Sequence, residues 1–280
     1  ISAAQPYARP ESFGLQLYDH EKGENIVGKA IPHASARLQV TGEAKYVDDM
    51  PLFANALHSA LVLSTKPHAL IEAVDTEEAL AIEGVVGYYG HEQVRGGNDI
   101  GPVIPDEECF AKDKVTCVGQ VIGIVVAETE QQAREAARKV RVQYKDLPPI
   151  MSIEDAIESD SFYGENWESK VERGDVDECF ASGACTHVVE GDMKIGAQDH
   201  FYLETNACTV VPLEGDEVLT YSSTQAPAKH QRAIAHVLGV PEHKVVCKTK
   251  RLGGGFGGKE TRAVFLNCAC AVPAFDLQRP

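Results

Sequence analysis

A chain of 280 residues, 44% apolar and 24% charged, is long enough for one large or two ordinary domains and has the composition of a globular protein. Its 42 acidic against 26 basic residues leave a formal charge of −16, which argues against a nucleic-acid partner, because such binding rests on Lys and Arg neutralising phosphates. No apolar stretch is long enough to span a bilayer, so a soluble protein with no membrane partner is expected.

The chain opens on "ISAAQPYARP", which has neither an initiator Met nor the charged and apolar regions of a signal peptide. It closes at Arg279-Pro280 directly after an apolar segment, so both ends read as cut and the chain as a fragment of something longer. Residues 1–29 are polar and contain proline, the texture of a linker or arm. "ALHSALVLS" (Ala56–Ser64) and "HALIEAVD" then predict two short strands, and "TEEALAIEG" a short helix ended by Gly84. "VTCVGQVIGIVVAE" is a near-continuous apolar run of the kind a strand covered on both faces needs. Thr129 caps a helix in "TEQQAREAARKV", with Gln132 completing a capping box, and "VRVQY" resumes as strand. These elements set a first domain at 30–146.

Residues 147–169 form a connector, and the wider stretch Met151–Phe180 holds ten acids against Lys170 and Arg173, the pattern of a solvated crossing. From about residue 170 a second domain begins. "THVVEGDMKIG", "ACTVVPL" and "EVLTYSS" predict alternating strands, and a helix runs from about Ala226 to Leu238, ended by Gly239. "HKVVCKTKRL" returns as strand into the glycine loop "GGGFGGKE" (Gly253–Glu260), and "TRAVFLNCACAV" leaves it as an apolar helix. Strand, helix, strand, glycine loop and helix make an α/β unit whose loops can meet at one site. The fold class is therefore mixed α/β. The eight cysteines form no C-x-x-C pair and no zinc pattern; they read as reduced thiols in a cytosol-like compartment, mostly filling the core.

The glycine loop admits three readings. Gly253, Gly258 and Lys259 fit the spacing of a phosphate loop, but Glu260 stands where a magnesium-binding hydroxyl belongs. Gly253, Gly255 and Gly258 fit a dinucleotide fingerprint, but Asp276 comes too soon for a helix and a strand to precede it. The third reading makes Phe256 and Glu260 the informative residues: a single bulky side chain among glycines is presented, and the backbone amides around it can face an anion or a metal oxo group. Elsewhere Gln225 in "SSTQAP" sits at a strand-to-helix junction, where an amide can hold a polar ligand or simply face water. In "QDHFYLET", His200 and Glu204 can be ligands or acid–base groups, although a His beside two aromatics reads first as a hydrogen-bonded core residue.

Taken in order, "GEAKYVDDMP", "VTCVGQVIG", "GAQDHFYLET", "SSTQAP" and "KRLGGGFGGKETR" resemble the molybdenum-binding portion of the molybdenum hydroxylase family, in its xanthine dehydrogenase branch of the eukaryotic, plant-like, single-chain kind. The resemblance covers essentially the whole chain. It implies a small α/β hammerhead domain over 30–146 and the truncated start of a molybdopterin-binding domain over 170–280. By the same resemblance Gln225 hydrogen-bonds an oxygen ligand of molybdenum, Phe256 with Gly255 and Gly257 lies against the metal centre, and Glu260 binds a purine. Aldehyde oxidases, the alternative within the family, generally lack that acid; a non-catalytic binding module is the other alternative. The resemblance further implies oxidation of hypoxanthine and xanthine, with electrons passing through [2Fe-2S] clusters and FAD to NAD. It implies a homodimer in the cytoplasm or peroxisome. The family's catalytic base, iron–sulfur clusters and flavin correspond to no residues of this chain, so the fragment alone is expected to be inactive.

Overall fold

The computed structural model describes residues 11–14, 31–162 and 171–280; the expected arm over 1–29 falls almost wholly outside them. The chain divides into two units between Ala44 and Lys45. The described part of the first holds one short helix, α1 (Ala36–Val40), whose end is tied by Thr41, its hydroxyl donating to the Arg37 carbonyl at 2.9 Å.

In the second unit the chain runs β1 (His58–Leu63), β2 (Ala69–Asp75), α2 (Glu77–Leu80), β3 (Val85–Tyr89), β4 (Lys114–Val115), β5 (Val121–Ala127), α3 (Glu130–Lys139) and β6 (Arg141–Asp146). These strands make two antiparallel three-stranded sheets, ordered β1-β5-β3 and β4-β2-β6. The expected single run through "VTCVGQVIGIVVAE" is broken, because β4 pairs with β2 while β5 pairs with β1 and β3; the chain changes sheets at the turn between them.

Every residue of β5 is buried, as its unbroken apolar sequence requires. Its register against β1 shifts between Val62 and Leu63, and the extra residue resets the alternation. Val121, Ile124 and Val126 consequently enter one apolar cluster, whereas Ile122 and Val125 enter the other with Val62, Ala69 and Ala136. Helix α3 is capped as expected, Thr129 accepting from the Gln132 amide at 3.3 Å. The capping box is not completed: the Gln132 side chain donates instead to the Glu83 carbonyl at 2.8 Å, tying α3 to the turn before β3.

The connector's described residues are almost all exposed, in keeping with a solvated crossing, but they contain one short helix, and a second follows just beyond the connector. α4 (Ile153–Glu158) and α5 (Val176–Ala181) each begin at a side-chain cap, Ser152 accepting from Asp155 and Asp175 from Glu178, with acids in the first turn. The expected strand in "THVVEGDMKIG" does not form. No described strand runs beside it, and Val188, Val189, Met193 and Ile195 lie exposed.

The last elements are β7 (Cys208–Pro212), β8 (Val218–Ser222), α6 (Pro227–Leu238), β9 (Val245–Lys248) and α7 (Val264–Leu277). β7 is antiparallel to β8, and β9 is parallel to β8 across α6, the α/β unit expected from sequence. α6 has Pro at its start and ends at Gly239, left-handed at φ 69°. The final helix starts three residues later than its sequence suggests and runs on through Pro273. It is apolar all round and buried on nearly every side. Val264, Cys268 and Val272 of α7 share one cluster with Ile124 and Val126 of β5 and with Ile234 and Val237 of α6. Cys109 and Cys268 fill the core as expected, whereas Cys117 and Cys179 are exposed and Cys185 half-buried, against that expectation. Among the described residues no helix is long and apolar enough to cross a membrane.

Candidate functional site

Because β8 and β9 are parallel neighbours, the loops leaving their C-terminal ends lie side by side. Ser223-Thr224-Gln225 leads from β8 into α6; the glycine loop leads from β9 toward α7. The Gln225 amide and the Thr224 hydroxyl both donate to the Lys259 carbonyl, at 2.9 and 3.0 Å. In return the Gln225 side-chain oxygen accepts from the backbone amides of Gly257 and Lys259, at 3.0 and 3.3 Å.

A third segment, Tyr202–Asn206, crosses the inner side of the loop. The Gly253 amide donates to Glu204 Oε2 at 2.6 Å, and the Ser223 hydroxyl donates to the same oxygen at 2.7 Å. Lys259 is completely buried. Its ammonium donates to Ser223 Oγ at 2.6 Å and to the Glu204 carbonyl, stands 3.4 Å from Glu204 Oε2, and lies 4.6 Å from the centre of the Tyr202 ring. Burying two charges costs several kcal/mol of solvation each, roughly, unless they are paired and bonded as these are.

The crowding explains most of the glycines. A Cβ at Gly253 would fall 2.3 Å from Glu204 Cβ, one at Gly255 would fall 2.5 Å from Gln225 Oε1, and one at Gly258 would fall 2.7 Å from Tyr202 Cε1. At these three positions bare backbone is required by the protein's own segments. Gly257 differs: its φ is 92°, and the nearest group to a Cβ there is His200 Nε2 at 4.0 Å.

Two readings of the loop fall on this geometry. A phosphate-loop lysine must reach a nucleotide, and Lys259 has no exposed surface. A dinucleotide site needs a second strand after the loop's helix, and α7 runs unbroken past Asp276 to Leu277. The presented side chains remain. Phe256 is 73% exposed and holds φ 50°, a conformation that costs a bulky residue about 1–3 kcal/mol and accumulates at functional sites. Glu260 is exposed, with Lys229 of α6 at 3.3 Å. Arg262, just beyond, pairs with Asp106 at 2.8 Å and holds that carboxyl below its ordinary range.

The structure thus brings Gln225, Gly255, Phe256, Gly257 and Glu260 together on two adjoining loops. His200 is not a core residue: it is exposed, its ring 6.2 Å from that of Tyr202. Glu204 serves as an anchor for the loop, although its Oε1 is buried without a partner among the described residues. Sequence reasoning missed Lys259 and Ser223 as the anchor's other members. Nothing local marks them, since Lys259 lies 55 residues from Glu204.

Beneath the site, Asn267 of α7 donates through its Nδ2 to Thr220 and Ser222 of β8. Its oxygen is left to accept from Nδ1 of His230 at 3.1 Å, so the proton of that neutral imidazole sits on Nδ1. Burial pushes His230 down to about 4.

No three His, Cys, Asp or Glu side chains among the described residues converge on a metal position. A metal can be held here only by a group that brings its own ligands, and the site suits such a group. With the Gln225 oxygen engaged by the loop, its NH2 is the donor left for an outside acceptor, with Phe256 beside it as a wall and the Glu260 carboxylate on the same loop.

The comparisons with known proteins agree on the family. A family model for the aldehyde oxidase and xanthine dehydrogenase a/b hammerhead domain matches residues 41–148, and one for the molybdopterin cofactor-binding domain matches residues 159–280. The chain is 52% identical to xanthine dehydrogenase 1 of Arabidopsis thaliana and 46% identical to the xanthine dehydrogenase/oxidase of Mus musculus, in each case over all of this chain and 21% of the relative. It therefore spans about a fifth of the length of these relatives. Among solved structures, the aldehyde oxidoreductase from Desulfovibrio desulfuricans superposes with a TM-score of 0.78 at 28% identity, over 94% of this chain and 31% of that one.

Proposed function

The chain belongs to the aldehyde oxidase and xanthine dehydrogenase family, and from that premise we propose that it is part of a xanthine dehydrogenase oxidising hypoxanthine to xanthine and xanthine to urate. Residues 30–146 are its hammerhead domain, 147–169 a connector, and 170–280 the start of its molybdopterin-binding domain. The observation that carries the reading is the single surface on which the Gln225 amide, Phe256 and Glu260 are presented while Lys259 and Glu204 are sunk beneath it. Gln225 holds an oxygen of the molybdenum cofactor through its NH2, and Phe256 with Gly255 and Gly257 lies against that cofactor. Glu260 accepts a ring N–H of the purine.

When bound, the cofactor supplies the oxygen transferred to the ring and takes up the electrons released. In the whole protein, iron–sulfur clusters and FAD would carry those electrons on to NAD, on parts that this chain does not include. The catalytic base is placed there as well. The whole protein is read as a homodimer of the cytoplasm or peroxisome.

The similarity to an aldehyde oxidoreductase keeps a second substrate class in view. A site built to pair ring nitrogens rejects analogues that lack them, so Glu260 decides between the two. In the full-length protein, Glu260→Ala should lower purine kcat/KM by about a hundredfold or more, the cost of an unpaired buried polar group on the substrate, with aldehyde turnover retained. Survival of purine turnover with loss of aldehyde turnover would reverse the assignment. A purified full-length protein without molybdenum would leave only the binding-module reading.

A further inference from the structure

We propose that Cys179 and Cys185 are a redox modification site, closing reversibly to a disulfide on an exposed stretch within the part of the chain that matches the molybdopterin cofactor-binding family model. The pair stands apart from the other cysteines. Its sulfurs lie 3.6 Å apart with Cys179 exposed and Cys185 half-buried, whereas Cys208 and Cys270, which also share a thiol hydrogen bond, pack against the core, Cys109 and Cys268 are sealed in it, and Cys117 is exposed without a thiol partner.

Local structure holds the two thiols together. Asp175 caps α5, and Cys179 lies in that helix. The chain then reverses through Gly183, which is left-handed at φ 70°, and brings Cys185 back so that its sulfur also meets the Cys179 carbonyl at 3.8 Å. Ser182 fastens the same carbonyl at 3.2 Å. Little rearrangement separates this contact from a sulfur–sulfur bond. A metal is not the better occupant, since among the described residues no third ligand converges on the pair.

The surroundings set the poise. Asp175, Asp177 and Glu178 flank the pair, and the shared hydrogen bond with Cys179 raises the Cys185 thiol above its ordinary value. That shift disfavours the Cys185 thiolate and so slows its attack on an oxidant. The oxidant is a low-molecular-weight disulfide of the glutathione type. One cysteine, as thiolate, attacks it and forms a mixed disulfide, releasing one small thiol. The second cysteine attacks the protein sulfur of that bond and releases the other. Two protein S–H bonds are lost, one S–S bond forms, and the small disulfide is reduced to two thiols.

The sequence provides a clean readout, because no Lys or Arg lies between Gly174 and Met193, and both cysteines fall in one tryptic peptide, 174–194. The full-length native protein is equilibrated with mixtures of oxidised and reduced glutathione, alkylated and digested. The expected product is the unalkylated peptide, lighter by two hydrogens, at an oxidised-to-reduced ratio about tenfold lower than the one that glutathionylates Cys117, the advantage of intramolecular closure. Cys179→Ser and Cys185→Ser should each convert that product into a glutathione adduct on the remaining cysteine. Recovery of the peptide with both thiols alkylated, or with a glutathione on each, at ratios that modify Cys117 would overturn the proposal.

Discussion

The inner and outer faces of one glycine loop are built on opposite terms. Inside, Lys259 has no exposed surface, Glu204 is nearly closed off, and side chains at Gly253, Gly255 and Gly258 would collide with neighbours. Outside, Phe256 and Glu260 face solvent and Gly257 is open. Even the two Lys–Glu pairs divide this way: Lys259–Glu204 is buried, whereas Lys229–Glu260 is 30% and 55% exposed. The lesson is that a short loop can hold a bulky residue in a strained conformation only where its other residues are fixed by an anchor of much larger energy.

The hardest blow to that contrast is Lys259→Met. It leaves a carboxylate buried with, among the described residues, Ser223 and Gly253 as its remaining donors, and breaking a buried pair at one end costs about 3–5 kcal/mol. Native-state hydrogen exchange in the full-length protein should show the amides of Gly257 and Lys259 losing protection to that extent, with Glu204→Gln restoring part of it in the double variant. Protection unchanged in the single variant would show that the loop does not depend on its anchor.

A second buried polar group sharpens the comparison, because His230 lies beneath the site, where its side chain hydrogen-bonds Asn267 and not a presented residue. Its folded value of about 4 lies below the ordinary 6.5, so the unfolded chain binds the extra proton first. Stability is fully present above pH 6.5 and is lost as pH falls from there toward 4, by about 3 kcal/mol at most. His230→Gln should flatten that part of the pH profile of thermal unfolding. A profile unchanged by the substitution would place the acid sensitivity elsewhere.

How far the sequence told of these two layers follows from where their causes lie. β5, α3 and α6 were legible because an apolar run, a capping threonine and a proline–glycine pair act within a few residues. The presented residues were legible for a related reason: one phenylalanine among five glycines is conspicuous by itself. The anchor was not, since a lysine following a glycine run looks solvent-facing until Glu204 is known to lie under it. The strand expected in "THVVEGDMKIG" has the right alternation, yet a strand needs a partner, and none of the described strands lies beside it. The cysteines 179 and 185 were likewise opaque, because their meeting depends on the turn at Gly183.

Gly255→Ala tests the boundary between the layers. The new methyl would sit 2.5 Å from Gln225 Oε1, and overpacking of this kind costs about 1–3 kcal/mol. The flexible amide should yield before the backbone does and swing away from Gly257 and Lys259. The measurable outcome is molybdenum content per protomer, expected to fall while the unfolding midpoint moves only a few degrees, by roughly the shift such an energy gives.

Glu260→Gln is the smallest change to the fold and the most telling about the outer face. The carboxylate is exposed, its partner among the described residues is Lys229 across a solvent-screened 3.3 Å, and surface pairs of this kind are worth about 0–1 kcal/mol. The variant should therefore unfold within about half a kcal/mol of the parent and keep its molybdenum. If the proposed role is right, purine kcat/KM should nevertheless drop, because an amide oxygen is a weaker acceptor than a carboxylate for the ring N–H. Loss of stability together with activity would instead assign Glu260 to the anchor, and the division of the loop into a fixed and a presenting face would have to be redrawn.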